Sequence, residues 1–287
     1  MSIELTDEQL HAVQSKSLEI LIWFIRYCKT HELTVYISAG TLLGAVRHKG
    51  FIPWDDDVDV MMPRPDYDKL FDIWAATDTS HYSLFRTDEN TVTHDPQATV
   101  SDNLTTAVKI QHVGVDMPQG LSIDVFPLDG CPNGKIARQL QVIWQLLYGL
   151  FQAQYAPTTH GQGFYWAARA ALALVPSKRL RYKIWHFAER RMTATPYGAT
   201  DSVRFLYGGP IAARRVIPLD VFDGTTFGDI NGHRVPMPVG YEDFLEVWFG
   251  DWRQLPPPSQ RHPAHTLVSL DLGTPYRLTQ IAGGHSA

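Results

Sequence analysis

The sequence predicts an α+β fold: a mixed sheet with flanking helices, extended by a helical insertion and a C-terminal segment. Three observations predict it. Residues 35–62, VYISAGTLLGAVRHKGFIPWDDDVDVMM, read as strand, turn, short helix, loop and strand. Residues 120–126, GLSIDVF, form a second short apolar run with one acid, Asp124, inside it. Long amphipathic helical patterns, punctuated by Pro and Gly, surround both. The expected division is a core with its N-terminal helix over 1–132, a basic helical insertion over 133–200, and a C-terminal segment over 201–287 packed on the core.

Residues 6–31 predict an amphipathic helix. Thr6 and Gln9 have capping-box spacing, and Leu10, Val13, Ile20, Leu21, Phe24 and Cys28 recur at helical intervals. Val35, Tyr36 and Ile37 suit a buried strand. Ala39-Gly40-Thr41 breaks it, residues 42–46 form a short helix, and Gly50 is the expected C′ residue. Pro53 stiffens the return loop. A helix over 65–75 follows the second strand, and residues 78–118 read as short strands and turns. Residues 135–192 read as two or three helices broken at Pro157 and Pro176. The last third is rich in turns, with a short helix over 241–249 ended by Pro256-Pro257-Pro258. His262 and His265 read as structural, and the tail after Thr279 as disordered.

The alternation Asp57-Val58-Asp59-Val60 carries the chemistry. Strand side chains alternate faces, so the two aspartates project together and the valines face the core. Their Cα atoms are then roughly 7 Å apart, at about 3.3 Å per residue. Carboxylates that close repel, and are comfortable only around a cation or a shared proton. Hard oxygen ligands on one face suit Mg²⁺ or Mn²⁺. If the run around Asp124 pairs beside this strand, Asp124 joins the same face. Three such carboxylates could hold two divalent ions about 4 Å apart, as in-line phosphoryl displacement requires. Gly40-Thr41 sits where a strand becomes a helix, a place where free N–H groups bind phosphate. Arg47, His48 and Lys49 supply nearby cations, with helix C-terminal charge compensation as their ordinary role. Trp54 is either a base-stacking surface or core. Asp55 and Asp56 are turn residues or orient the metal shell. Lys109, ahead of the Asp124 run, reads by itself as a solvated strand lysine.

Composition narrows the function classes. A net charge of −5 argues against general nucleic-acid binding. The two cysteines, Cys28 and Cys131, have no metal-ligand spacing and suggest a reducing compartment. Residues 1–5 lack the basic and apolar regions of a signal peptide, and no uncharged apolar run reaches the length of a membrane span. The expected location is cytoplasmic. One stretch stands apart: residues 166–192 hold seven basic residues against one acid, Glu189, so +6 against −11 for the rest of the chain. Mixed with Trp166, Leu172, Leu174, Val175, Tyr182, Trp185 and Phe187, it reads either as a surface that meets anionic lipid at the inner face of the membrane or a phosphorylated acceptor, or as a solvated helix face whose aromatics are core.

Several blocks resemble the LicD-like proteins, which include fukutin and fukutin-related protein. They are Gly40 through His48 (GTLLGAVRH), Gly50 through Val60 (GFIPWDDDVDV), and Ile123 through Gly130 (IDVFPLDG). Pro236-Met237-Pro238, Tyr241, Leu245, Gly250-Asp251-Trp252 and Pro256-Pro257 form a weaker fourth block. Gly40-Thr41 before an Asp-Val-Asp strand also resembles the Gly-Ser signature of polymerase-β-like nucleotidyltransferases, with Thr in place of Ser. The resemblance implies a nucleotidyltransferase core. It also implies transfer of a phospho-alcohol, such as phosphocholine, from a CDP-alcohol donor to a glycan or lipid-linked glycan acceptor. Lys109 matches a lysine the family carries ahead of its second acidic strand. Gln111 departs from the basic residue often found two positions later. On this reading Asp57 and Asp59 bind the metals, and Asp124 is a third ligand or the base for the acceptor hydroxyl. Two rivals stand beside it: a glycosyltransferase using the Asp-x-Asp pair on a nucleotide sugar, and an inactive glycan-binding scaffold. A Ca²⁺-binding EF-hand is excluded, because Val60 replaces its obligatory Gly and no Glu closes the loop.

Overall fold

The computed structural model describes residues 3–155, 162–263 and 265–277. The expected break at Pro157 and the tail after Thr279 lie outside them. Helix α1 (Asp7–Thr30) begins with both capping-box bonds, Thr6 Oγ1 accepting from Gln9 N and Gln9 Oε1 from Thr6 N. Its apolar stripe, including Val13, Ile20, Leu21, Phe24 and Cys28, enters the core.

The mixed sheet comprises β1 (Tyr36–Ile37), β2 (Asp59–Pro63), β6 (Ser122–Gly130), β4 (Ala98–Asp102) and β3 (Tyr82–Phe85), in that spatial order. β2 and β6 are parallel neighbours, with Asp59 opposite Asp124; the other pairs are antiparallel. A parallel pair needs a long crossover, and here it holds α3 (Arg64–Ala75), β3, β4 and β5 (Thr106–Lys109). The far end of β6 pairs with β7 (Ser202–Arg204), and β7 pairs with β8 (Ile217–Pro218). Val58 and Val60 are fully buried while Asp57 and Asp59 are half-buried, as side-chain alternation requires. Asp57 precedes the formal strand, yet Asp124 N already donates to Val58 O at 2.9 Å.

Between β6 and β7 lie three helices: α4 (Lys135–Ala153), α5 (Gln162–Leu174) and α6 (Lys178–Met192). One buried ion pair joins α3 to β6. Arg64 donates from Nε and Nη2 to the two oxygens of Asp129, at 2.7 and 2.9 Å. The Arg64 guanidinium also lies near the rings of Tyr67 and Tyr207.

Four local expectations are corrected. Helix α2 (Ala39–Arg47) starts before Gly40, and Ala39, not Gly40, takes the positive φ of 40°. Gly40 serves another need: a Cβ there would stand 2.6 Å from Asp55 Oδ2. After α2 the left-handed residue is Lys49, at φ 54°, not Gly50, whose Cβ would stand 2.5 Å from Asn231 Oδ1. The turn-rich C-terminal region forms a hairpin, β9 (Thr225–Ile230) with β10 (His233–Pro238). Its turn is Asn231-Gly232, both at positive φ, the chemistry a two-residue hairpin favours. Helix α8 (Tyr241–Phe249) follows α7 (Gly209–Ala212) and ends at Gly250, φ 70°, ahead of the prolines. Beyond them β11 (Leu267–Asp271) pairs with β5.

Candidate active site

The site is assembled at the start of β2 and β6, where the loop after α2 returns. Gln14 of α1 pins that loop, its Nε2 donating to the carbonyls of Ile52 and Asp55 at 3.2 and 2.8 Å. Thr41 Oγ1 accepts from Asp59 N at 2.9 Å, which fixes the first residue of β2. Among the described residues, Asp55, Asp56 and Asp57 each offer one carboxylate oxygen within 4.8 Å of the others. This compact trio is not the set that strand alternation predicts, which is Asp57, Asp59 and Asp124. Asp57 belongs to both.

Electrostatics connect all of them. Burial, repulsion by Asp57 and a hydrogen bond with Asp57 push the Asp55 carboxyl up to about 8. Burial, then the charges of Asp57, Asp124 and Asp55, hold Asp59 well above the usual range. Asp57 is also raised, chiefly by burial, although His265 acts against the rise. The carboxylates crowd together at half-buried to buried positions, so charging them without a cation is costly.

Cations and hydrogen-bond donors ring the cluster. Asp124 accepts from Gln97 Nε2 at 2.7 Å and Thr99 Oγ1 at 3.2 Å, and Lys109 Nζ lies 3.8 Å from its Oδ2. Burial would lower the Lys109 pKa, but Asp124, Asp95, Asp57 and Asp59 together raise it. His265 N donates to Asp56 at 3.2 Å, and its Nδ1 lies 3.3 Å from Asp56 and 3.7 Å from Asp57. Burial opposes its charging, yet the Asp56 hydrogen bond and the surrounding carboxylates leave its pKa raised. Asp56, Asp57, Lys109, Asp124 and His265 line a pocket of about 30 Å³. That is room for an ion or a water, not for a substrate.

The other predicted residues lie at the border of the cluster or beyond it. Gly40 and Thr41 border the carboxylates at the N-terminus of α2, as packing and hydrogen-bonding residues. Arg47 is at the other end of α2, roughly 10 Å away at 1.5 Å per residue. Its Nη1 donates to the carbonyls of Trp252 and Gln254 at 2.9 and 3.1 Å. With Trp54, Phe249, Trp252 and Leu255 it lines an open cavity of about 440 Å³. The Arg261 guanidinium lies 5.5 Å from the Trp54 ring. Among the described residues the buried Nδ1 of His48 has no hydrogen-bond partner, and burial and Arg47 lower its pKa. Lys49 is exposed, and its carbonyl accepts from Asn231 N.

Sequence reasoning missed Gln97, Thr99 and His265. The strand pattern of residues 267–271, pairing beside Lys109, was the available signal for His265.

A family model described as LicD/FKTN/FKRP, nucleotidyltransferase domain, matches residues 32–130, the span that supplies every carboxylate above. The lipopolysaccharide cholinephosphotransferase LicD of Haemophilus influenzae is 26% identical over 268 residues, 89% of this chain and 96% of that protein. Residues 32–130 are a LicD-like domain. Uncharacterised proteins from Rickettsia prowazekii and Rickettsia typhi are 41% and 39% identical over 64 residues, each match covering 20% of this chain. In this LicD-like chain His265 reaches the carboxylates from outside the matched span.

Proposed function

We propose that this LicD-like protein is a metal-dependent phosphotransferase. It moves a phospho-alcohol of the phosphocholine kind from a CDP-linked donor to a glycan hydroxyl and releases CMP. The observation that carries the reading is the carboxylate cluster at the paired starts of β2 and β6, with Asp59 opposite Asp124 and Asp55, Asp56 and Asp57 beside them. The relative whose name is lipopolysaccharide cholinephosphotransferase supports a phosphocholine donor and a glycan acceptor. The mixed sheet is then a nucleotidyltransferase core, with residues 133–200 inserted into it.

The donor set fits Mg²⁺ or Mn²⁺. All its members are hard oxygens, and burial first, then mutual repulsion, raises the pKa values of Asp55, Asp57 and Asp59, so a cation would relieve the cost of charging them. Asp57 and Asp59 would hold the metal, with Asp55 and Asp56 completing or orienting the shell. A bound divalent ion would neutralise charge on the diphosphate and on the leaving CMP. Transfer itself needs the acceptor oxygen to bond to the alcohol-bearing phosphorus while the bridging oxygen–phosphorus bond to CMP breaks. The hydroxyl proton leaves to a base, for which Asp124 is placed if it is not itself a ligand. Lys109 would stabilise negative charge on the transferred group. The cavity between Trp54 and Arg47 has room for the donor's nucleoside.

Mass spectrometry of products from a CDP-choline and glycan incubation tests the proposal. CMP and a phosphocholine-bearing glycan are expected. Pyrophosphate released from a triphosphate would make it an ordinary nucleotidyltransferase. A nucleoside diphosphate released from a nucleotide sugar would make it a glycosyltransferase.

A further inference from the structure

The helices after β6 carry a surface that the transfer reaction does not use. Helix α4 turns Ile136, Leu140 and Ile143 to solvent. Their spacings of four and three place them in one row on one face. Ile136 is 79% exposed. Next to this row, Trp144 meets Phe187 of α6 edge to face, with 5.6 Å between ring centroids. Phe187 is itself 55% exposed, and Arg191 lies 5.9 Å from the Trp144 ring. The apolar row on α4 therefore continues onto α6 and ends among its cations. On helix α5, Trp166 and Leu174 are also exposed, 60% and 83%.

The charge on these helices is more one-sided than the sequence implies. Arg169, Lys178, Arg179, Lys183, Arg190 and Arg191 are all exposed. The seventh basic residue, Arg181, is withdrawn to the carbonyls of Leu172 and Val175. Glu189, the one acid in residues 166–192, is buried. It pairs with Arg86, which lies outside the stretch, and accepts from Tyr207 Oη at 2.8 Å. It therefore does not offset the exposed cations. Asp88, Glu89 and Asp116 approach the group at one point. They share a cavity of about 420 Å³ with Lys178, at the end of α6 away from Arg190 and Arg191. Leu172 and Trp185 are core, as the solvated-face reading has it for the aromatics, whereas Trp166 and Phe187 are exposed.

We infer that the α4–α6 face docks on an anionic phospholipid bilayer. Aliphatic and aromatic side chains intermixed with lysine and arginine match the acyl–headgroup boundary, where apolar groups enter and the cations meet lipid phosphates. Nucleic acid would satisfy the cations and leave the aliphatic row wet. No helix among the described residues is long and apolar enough to cross a membrane, so the contact lies on the surface. Such docking would hold the enzyme beside a lipid-linked acceptor, but the inference does not depend on the transfer reaction.

Co-sedimentation of the full chain with vesicles tests it. Pelleting is expected with phosphatidylcholine–phosphatidylglycerol vesicles and not with phosphatidylcholine alone. Affinity should fall on the order of tenfold or more as salt shortens the Debye length to a few Å. Lys183→Glu with Arg190→Glu should abolish pelleting. Leu140→Ser with Ile143→Ser should weaken it at least severalfold. Both double variants change exposed positions, and unchanged circular-dichroism melts would show them folded. A wild-type chain that stays in the supernatant with anionic vesicles overturns the inference, as do two folded variants that pellet like wild type. Concentration-dependent association without vesicles, abolished by the same substitutions, would mean that a second copy covers the face, and would also overturn it.

Discussion

Asp55→Asn isolates the physics of the carboxylate cluster. In wild type the Asp55 carboxyl is pushed up to about 8 and hydrogen-bonds to Asp57, so without metal a proton stands where a cation would. Its folded pKa lies above the unfolded value near 3.9. The stability it contributes is therefore fully present below about pH 4 and is lost as pH rises through about 8. A rise of about four units corresponds to roughly 5–6 kcal/mol at 1.36 kcal/mol per unit, as a ceiling. Burial is the largest cause of that rise and repulsion by Asp57 adds to it; with the titration shared between the two carboxyls, removing the Asp55 charge should recover on the order of 2–3 kcal/mol. At roughly 2–4 °C per kcal/mol for a chain of this size, the variant should melt about 5–10 °C higher than wild type at pH 8 in chelator. At pH 4 the two should melt together. Adding Mg²⁺ or Mn²⁺ at pH 8 should raise the wild-type melting temperature and move the variant much less. Differential scanning fluorimetry across pH, with and without metal, reads all of this. A wild-type melting temperature that is flat from pH 4.5 to 8 in chelator, with no gain in the variant, would refute the reasoning.

Asp57→Asn and Asp59→Asn should each lower transfer on the order of a thousandfold. Their melting temperature in chelator should stay unchanged or rise, and wild-type turnover in either would remove the metal assignment. Gly40→Ala places a methyl group 2.6 Å from the present position of Asp55 Oδ2 and must push that carboxylate aside. Metal affinity by calorimetry should drop on the order of tenfold with the fold retained, the size expected when a ligand's support is disturbed. Arg64→Met leaves Asp129 buried and unpaired, at a cost of about 3–5 kcal/mol in denaturant unfolding. Burial already raises the Asp129 pKa despite Arg64, and losing Arg64 raises it further, so this cost should shrink toward acid pH as the carboxyl protonates. Trp54→Ala should raise the donor KM by roughly tenfold with kcat little changed, the size of one lost base stack.

What was legible in the sequence was local. The capping box at Thr6, the alternation around Asp57, and the acid inside residues 120–126 each follow from periodicities of a few residues, and the structure pairs the two acidic strands as that pattern suggests. What was not legible depends on contacts far apart in the chain. His265 meets Asp56 across 209 residues because β11 pairs with β5, and no local period announces that pairing. Arg47 reads as a cation beside the aspartates only while the helix between them is treated as a point. The helix has length, and its far end faces Trp252. The exposure of Ile136, Leu140 and Ile143 was hidden for a different reason. An amphipathic pattern predicts a buried stripe, and only the packing shows which apolar residues fall outside it.

The block from Gly40 to Asp59 is best understood as one packed unit. Gly40 and Gly44 are four residues apart, so they share one face of α2. A Cβ on Gly44 would stand 2.6 Å from the carbonyl oxygen of Gly50 and 3.1 Å from Ile52 N. A Cβ on Gly40 would collide with Asp55. The return loop thus runs back along the bare face of the helix, touching it at 50, 52 and 55. Gln14 holds that loop from α1 at the Ile52 and Asp55 carbonyls. Thr41, on the next position of α2, fixes the start of β2 through Asp59 N. Helix, loop and strand therefore cannot shift independently, and the positions of Asp55, Asp57 and Asp59 follow from that clamp. A larger side chain at 40 or 44 would act on the carboxylates without touching a substrate. The two glycines therefore belong to the same stretch of sequence as the acids for a steric reason, since acids this close and this buried need their backbone held in place.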